Sequence, residues 1–473
     1  MVIKKEEFIR KYVRALKEGN AAIFAGAGIS IPSGFVNWKE LLRPLAIEID
    51  LDVDKEHDLL AVAQYYRNSK GIRTSISQEI MDAFSRRVAV NENIRILSRL
   101  PIHTYWTTNY DELLEQGIRD ANRNPDVKSE SNQLPIMRSL RDAIVYKMHG
   151  DVNHPANAVL TKSDYELYEN KRPLFRIALK ADLISKRFLF IGFSFEDPNI
   201  DYVLGKIHSL LEGDSPIHYW LHKKIQIEDY KTQSEYEYAK TKQEMQIDNL
   251  KQYGINTVLV DSYDEMTEML REIERAYKLT NVFISGSADS FDTPWDKNLA
   301  EQLSESIAGR LIHEDFRVTS GFGLGIGSAV INGALKVIYN EKFGHIGDYL
   351  CLRPFPQNID DPDKRALLYK KYRENILSET GVSIFLFGNK KSGSEIVDAT
   401  GCIQEYEIAK ENGNIIIPIG STGYAAWKIY SDIKNNISNY KYLSRYIDQL
   451  GVETDIGKIT DIIMKILKEQ IKY

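Results

Sequence analysis

A short apolar run that ends on a glycine corner leaves a chain few ways to fold. Here Ala21-Ala22-Ile23-Phe24-Ala25 runs directly into Gly26-Ala27-Gly28-Ile29-Ser30. The run reads as a strand buried on both faces, as parallel strands are. Behind the corner, Trp38, Leu41, Leu42, Leu45 and Ile49 fall near helical spacing. Strand, glycine corner and helix make the opening unit of a doubly wound α/β sheet.

The alternation continues. Continuous apolar runs at 143–146, 188–191 and 257–260 predict further strands, with amphipathic stretches between them. A charged stretch from Ile227 to Tyr253 predicts a solvated helix. Ala276-Tyr277-Lys278-Leu279-Thr280-Asn281 closes a helical pattern, and a fresh strand, Val282-Phe283-Ile284, follows. That places a domain boundary between 1–280 and 281–473. The second half repeats the pattern, with strands expected at 316–319, 349–352, 382–386 and 415–417 and a last helix from about Asp455 to Lys468. The expected fold class is α/β: two Rossmann-like, doubly wound parallel-sheet domains in tandem.

The length of 473 residues exceeds what one ordinary core serves, in keeping with two domains. A net charge of −6 argues against non-specific nucleic-acid binding, which needs clustered Lys and Arg. Cys351 and Cys402 are far apart and form no C-x-x-C pair, so a zinc site is not expected and two buried free thiols are. Met1-Val2-Ile3-Lys4-Lys5-Glu6-Glu7-Phe8 is charged where a signal peptide would be apolar. No run approaches the roughly 20 apolar residues of a membrane helix. The expectation is a cytoplasmic protein without membrane contact.

Three motifs in the first half carry possible chemistry. Gly26 and Gly28 would let backbone N–H groups approach a pyrophosphate, aided by a helix N-terminus, or they could simply close a strand–helix corner. Asn109-Tyr110-Asp111 follows the strand-like Tyr105-Trp106-Thr107-Thr108. Asn109 can hold a ribose hydroxyl or a water, and Asn and Asp equally favour turns and helix caps. His149, in His149-Gly150-Asp151, trails Tyr146-Lys147-Met148 at a strand's carboxyl end. An imidazole there can move a proton near neutral pH, or it can be a structural histidine satisfied by a carbonyl. His103, also near a strand end, is assigned the structural role.

In the second half, Gly321-Phe322-Gly323-Leu324-Gly325-Ile326-Gly327 opens a helix at Ser328. Such a loop permits close backbone approach to an anion. Ser285-Gly286-Ser287 can line the same crevice. Arg373 and Lys390 are candidate cations for phosphoryl groups, or solvated surface charges.

Taken together and in order, Gly-Ala-Gly-x-Ser, Thr-Thr-Asn-Tyr-Asp, His-Gly-Asp and Gly192-Phe193-Ser194 resemble the sirtuin family. The resemblance implies an NAD site formed by Gly26, Ala27, Gly28 and Ser30. It implies that Asn109 and Asp111 hold the nicotinamide end, that His149 is the general base, and that Gly192 and Ser194 face the adenosine. The chain departs from sirtuin deacylases in two ways: it lacks two Cys pairs for zinc, and Pro32-Ser33-Gly34-Phe35-Val36-Asn37-Trp38 stands where they carry Asp-Phe-Arg. The departures leave NAD cleavage with water as acceptor, NAD being the substrate rather than a cofactor.

The second half resembles the SLOG superfamily of nucleotide-binding domains. Its hydrolytic members carry Pro-Gly-Gly-x-Gly-Thr-x-x-Glu. Gly388-Asn389-Lys390 and Gly401-Cys402-Ile403-Gln404-Glu405 are a degraded version, which favours binding without chemistry. A sirtuin-like domain followed by SLOG is similar to the effectors of Thoeris antiphage defence. That similarity implies a cyclic ADP-ribose isomer as activator, bound by Gly286, Ser287, Leu324, Gly325, Arg373, Lys390, Gly401 and Glu405. It further implies a homotetramer and a partner TIR-domain protein that makes the signal. Competing readings are a sirtuin-type deacylase, a nucleotide-binding adaptor without catalysis, and a SLOG-half nucleotide hydrolase.

Overall fold

The computed structural model describes residues 2–71, 73–211, 216–342 and 344–471. The chain divides into two units, Met1–Glu274 and Arg275–Tyr473. The division falls inside the helix Tyr263–Lys278.

The first unit is built on seven strands: β1 (Ala21–Ala25), β2 (Thr104–Thr107), β3 (Pro125–Lys128), β4 (Ala143–Lys147), β5 (Arg187–Ile191), β6 (His218–Lys223) and β7 (Ile255–Val260). All pair in parallel, in the order β3-β4-β2-β1-β5-β6-β7. β1 is buried at every position because helices cover both faces. Phe24 stands between Trp106 and Phe190 in register, in a core with Phe175, Phe188 and Trp220. Strand order turns around at β1: β2 lies on one side and β5 on the other. Open α/β sheets bind ligands at the carboxyl edge beside such a reversal.

The corner after β1 meets the corner after β5 at that edge. Gly26 N–H donates to Ile191 O at 3.0 Å, and Gly28 N–H to Gly192 O at 2.9 Å. A Cβ on Gly26 would lie 2.3 Å from Gly192 O, and one on Gly192 2.4 Å from Ile29 N. Gly192 also has φ +62°, a region that favours glycine. These glycines therefore pack backbone against backbone. The amides of Gly26 and Gly28, expected to face a pyrophosphate, are already engaged.

The expected long helix does not begin at this corner. Two 3₁₀ turns, Ala27–Ile29 and Ile31–Ser33, intervene, and Gly34 turns the chain at φ +91°. The helix starts at Trp38, where Asn37 Oδ1 accepts from Glu40 N–H at 2.9 Å, and it ends at Ile47, short of Ile49. The helix-dipole contribution expected at the corner is therefore absent.

The second unit has a parallel sheet of β8 (Asn281–Ser285), β9 (Arg317–Ser320), β10 (Leu350–Leu352), β11 (Val382–Phe385) and, last in sequence, β14 (Ile415–Pro418). Its order is β10-β9-β8-β11-β14. An antiparallel hairpin, β12 (Asn389–Ser392) and β13 (Glu395–Asp398), stands apart from it. The core of this unit gathers Val282, Ile284, Leu303, Ile384, Ile417 and Leu467. Both cysteines are free, but only Cys402 is buried. Cys351 is partly exposed because β10 is an edge strand. The charged stretch forms the helix Gln233–Lys251, which buries only Gln243, Ile247 and Leu250. The last helix runs Ile456–Gln470. No described helix is long and apolar enough to cross a membrane.

The glycine contact yields a stability prediction. Gly192→Ala adds a Cβ at a positive φ against a backbone nitrogen. The expected cost is about 2 kcal/mol or more. Calorimetry should show the melting temperature down by roughly 4 °C or more; an unchanged melt would mean the corner relaxes freely.

Candidate active site

Parallel strands send their following loops to one edge, so residues far apart in sequence meet there. A cavity of about 340 Å³ opens at the carboxyl ends of β1, β2, β4 and β5. Ala27, Gly28, Ser30, Asn109, Asp111, His149, Gly192 and Ser194 line it, together with Val36, Trp38, Lys39, Phe84, Tyr110, Tyr165, Glu196 and Asp197. Gly26 lies behind the wall, where its carbonyl accepts from Asn109 Nδ2 at 3.1 Å.

Asn109 is buried and aimed. Its amide nitrogen donates to Gly26 O and to Ser30 Oγ at 3.0 Å, and its backbone N–H donates to Thr107 Oγ1 at 3.0 Å. Its Oδ1 is buried with no hydrogen-bond partner. Asp111 is similar: Oδ1 accepts from Leu113 N–H at 3.0 Å, while Oδ2 is buried without a partner. Burial lifts the Asp111 carboxyl above its ordinary range, against the pull of Lys147. Two acceptor oxygens of residues that line the cavity are thus buried and unmatched, an arrangement suited to hydroxyl donors.

Lys147 closes β4 and is fully buried. Its ammonium donates to the carbonyls of Tyr110 at 3.0 Å and Asp111 at 2.7 Å. It also lies 2.5 Å from Asp151 Oδ2 and 3.1 Å from Glu115 Oε1. Burial alone would lower its pKa, but Glu115 and Asp151 outweigh that and hold it above the ordinary lysine range. In turn Asp151 is held below the ordinary carboxylate range, against its own burial. This cation ties the loop after β2 to the loop after β4, and so places Asn109 and His149 on one cavity.

His149 stands on the second loop, its carbonyl accepting from Val159 N–H at 2.8 Å. Its Nε2 lies 3.1 Å from Asp197 Oδ2, an ion-pair distance, without the alignment of a hydrogen bond. Tyr165 packs edge-on against the imidazole with ring centres 5.4 Å apart. Asp197 is buried, which would raise its carboxyl, yet His149 and the donors around it hold it below the ordinary range. His103 is exposed, and its Nδ1 lies 2.9 Å from Asp142 O.

Sequence reasoning missed several of these groups. Asp197 precedes Pro198, a helix-start signal that was readable. Lys147, a charge ending an otherwise apolar strand, was another. Trp38 supplies a buried indole N–H without a partner at the cavity wall, and its ring stacks on Tyr165 at 6.5 Å. Nothing in its local sequence distinguishes it from a core residue.

The second unit brings its own expected residues together at the carboxyl ends of β8, β9 and β11. A Cβ on Gly286 would lie 2.3 Å from Leu386 O, and one on Gly325, which has φ +79°, 2.1 Å from Ala288 O. Leu324 O accepts from Ala288 N–H at 2.8 Å, and Ser287 Oγ donates to Asn389 O at 2.9 Å. Glu405 accepts from Ser285 Oγ at 2.6 Å and from Arg373 Nε at 3.2 Å. Arg373 is buried against the Phe355 ring, and its Nη2 lies 2.6 Å from where a Gly401 Cβ would stand. It is therefore neither a surface charge nor a free cation, because a guanidinium this buried requires its counter-ion. Lys390, on the hairpin, is exposed and donates to Thr400 Oγ1 at 3.3 Å. Among the described residues no group of three or more His, Cys, Asp or Glu is arranged to hold a metal ion.

A sheet reversal carrying Asn, Asp and His in the first unit, and a second glycine corner in the next, define a class: a sirtuin-like domain joined to a SLOG domain. Comparison with known families agrees. A profile described as "SIR2-like domain" matches residues 103–257, and one described as "Sir2- and TIR-associating SLOG family" matches residues 265–470. "NAD(+) hydrolase ThsA" of Bacillus cereus is 46% identical over 92% of this chain and 90% of its own. The proteins of the same name from Cytobacillus dafuensis and Acinetobacter baumannii are 42% and 41% identical, over 99% and 96% of this chain and 96% and 98% of theirs. The chain belongs to the ThsA family.

Two stability predictions follow from the ion pairs. Lys147→Met strands Glu115 and Asp151 in the interior, at an expected cost of about 3–5 kcal/mol; urea unfolding should show the midpoint collapse. Asp151 and Asp197 have folded pKa values below the ordinary 3.8. Their contribution is present above that pH and is lost as pH falls through the lower folded values. Melting temperature should therefore drop as pH is lowered below about 4, and a flat profile there would contradict the two pairings.

Proposed function

We propose that this chain is an NAD hydrolase: NAD and water give ADP-ribose, nicotinamide and a proton. The observation that carries the reading is the cavity with Asn109 Oδ1 and Asp111 Oδ2 unpartnered and His149 on the same wall. The names of three relatives, each matched over 90% or more of its length, support it.

In the proposed step the bond between ribose C1′ and the nicotinamide nitrogen breaks, and its electron pair leaves with nicotinamide. The sugar passes through an oxocarbenium-like state. Asp111 and Asn109 hold the ribose hydroxyls or the incoming water by accepting hydrogen bonds. Water oxygen bonds to C1′ and its proton passes to His149. Positioning and the carboxylates around the developing cation supply most of the acceleration.

The second unit is proposed as the switch. A cyclic ADP-ribose isomer would bind at the corner formed by Gly286, Ser287, Leu324 and Gly325, with Arg373, Lys390, Gly401 and Glu405 beside it. An effector acts only through unequal affinity for the resting and active states. Depletion of NAD in the cytoplasm of an infected cell is the proposed outcome. A homotetramer, and a TIR-domain protein as maker of the signal, complete the proposal. The description of the family as TIR-associating fits that partner.

The test is nicotinamide release by the purified full-length chain, with and without cyclic ADP-ribose isomers. Release is expected only with an isomer. His149→Ala and Asn109→Ala should each lower it by at least about 100-fold with the melting temperature retained. Arg373→Ala should abolish the response to the isomer. A fully active His149→Ala protein would end the assignment.

A further inference from the structure

We infer that Asp197 is the positioning residue of His149: its carboxylate fixes the imidazole and balances the charge the ring gains on taking the proton. The inference rests on the reading of His149 as the base. Its two oxygens have separate partners. Oδ1 accepts from the backbone N–H groups of Asn199 at 2.9 Å and Ile200 at 3.2 Å, capping the helix Pro198–Leu210. Oδ2 accepts from Tyr165 Oη at 3.0 Å and stands 3.1 Å from His149 Nε2. The cap fixes the carboxylate, and the helix N-terminus favours its charge. Asp197 is 7% exposed and His149 4%. A carboxylate so buried needs a cation or several donors, and the imidazole Nε2 lies at ion-pair distance from it.

On this inference, the use of the ring follows. With Nε2 turned to Asp197, a neutral His149 keeps its proton there and leaves Nδ1 as the base. During hydrolysis one O–H bond of water breaks, its oxygen bonds to C1′, and its proton passes to Nδ1. The ring is then a cation beside Asp197, and nicotinamide has left with the electron pair of the broken bond. The other titratable groups that interact with Asp197 are Tyr165 from the helix Lys162–Glu166, Tyr110 from the loop after β2 and Tyr168, while Asp111, Glu196 and Lys39 line the same cavity. None of these pairs with the ring at ion-pair distance, as Asp197 does.

The test uses the full chain with ¹⁵N-histidine labelling, following the His149 ring by NMR against pH, beside NAD turnover with the activating isomer. Asp197→Asn keeps an N-capping oxygen and removes the charge, so the fold should be retained while the melt falls by what the charge contributed. The His149 midpoint should fall by about one pH unit. Turnover should drop about 10- to 100-fold at nearly constant KM for NAD. The acid limb of kcat should move to lower pH, since a less basic ring stays deprotonated further down. Asp197→Ser, which also retains a capping oxygen, should repeat the shift if the asparagine variant folds poorly. An unmoved midpoint and acid limb in a folded variant would overturn the inference. A wild-type chain that releases no nicotinamide, with the midpoint still falling in Asp197→Asn, would leave the pair standing and remove the hydrolase reading instead.

Discussion

The ammonium of Lys147 is the contact on which the site's geometry depends. It sits at the end of β4 with no exposure to solvent, donates to two carbonyls and lies within ion-pair distance of two carboxylates. Removing such a charge from water costs several kcal/mol before any pairing. The charges of Glu115 and Asp151 offset that cost, and the carbonyls of Tyr110 and Asp111 accept hydrogen bonds from the ammonium. An apolar side chain would fill the same volume more cheaply, but it would leave the two loops free to part. The charged arrangement fixes their separation, and with it the distance from Asn109 to His149.

Glycine provides the second constraint. Gly26 and Gly28 press against Gly192, so the corners of adjacent strands share one backbone contact. In the second unit Gly286 and Gly323 do the same, a Cβ on Gly323 falling 1.8 Å from Gly286 O. In both sheets the contact joins the corner after the central strand to the corner after a neighbour. The glycines therefore do more than admit a ligand's backbone approach. In the first unit they bring the two loops close enough for one cavity to be shared, and leave recognition to the side chains around it.

Much of this was legible because buried parallel strands announce themselves as apolar runs. β1, β4, β5, β7 and the central strands of the second sheet were readable in that way. β3 was hidden because its sequence, Pro125-Asp126-Val127-Lys128, carries two charges, which become neighbours in an ion pair at 2.9 Å only after folding. β6 was hidden by His218, His222 and Lys223. The hairpin β12–β13 has only two apolar residues, Ile396 and Val397, both on β13, and its signal was the Gly393-Ser394 turn. In the site, the motifs gave Asn109, Asp111 and His149, since those residue types have few reasons to follow strands together. Asp197 and Tyr165 escaped because their significance lies in what they touch, and a contact across 48 residues of chain leaves no spacing to read.

The unpaired oxygens of Asn109 and Asp111 bear on selectivity. A buried acceptor without a donor costs about 1–3 kcal/mol. A ligand rich in hydroxyls removes that cost, and an apolar ligand of the same shape does not. The carboxylates bear on rate, and here the location of charge matters more than its amount. Only interactions stronger in the transition state accelerate a step. In the proposed reaction the positive charge starts on the nicotinamide ring, moves to the sugar as the bond breaks, and ends on His149 as water is deprotonated. A uniform negative field would favour all three stages alike and change nothing. Asp197 touches only the last of them, so its attraction grows as the proton moves. That places it among the groups able to lower the barrier to water attack, while the wall residues Glu196 and Asp111 also act on the substrate as it binds.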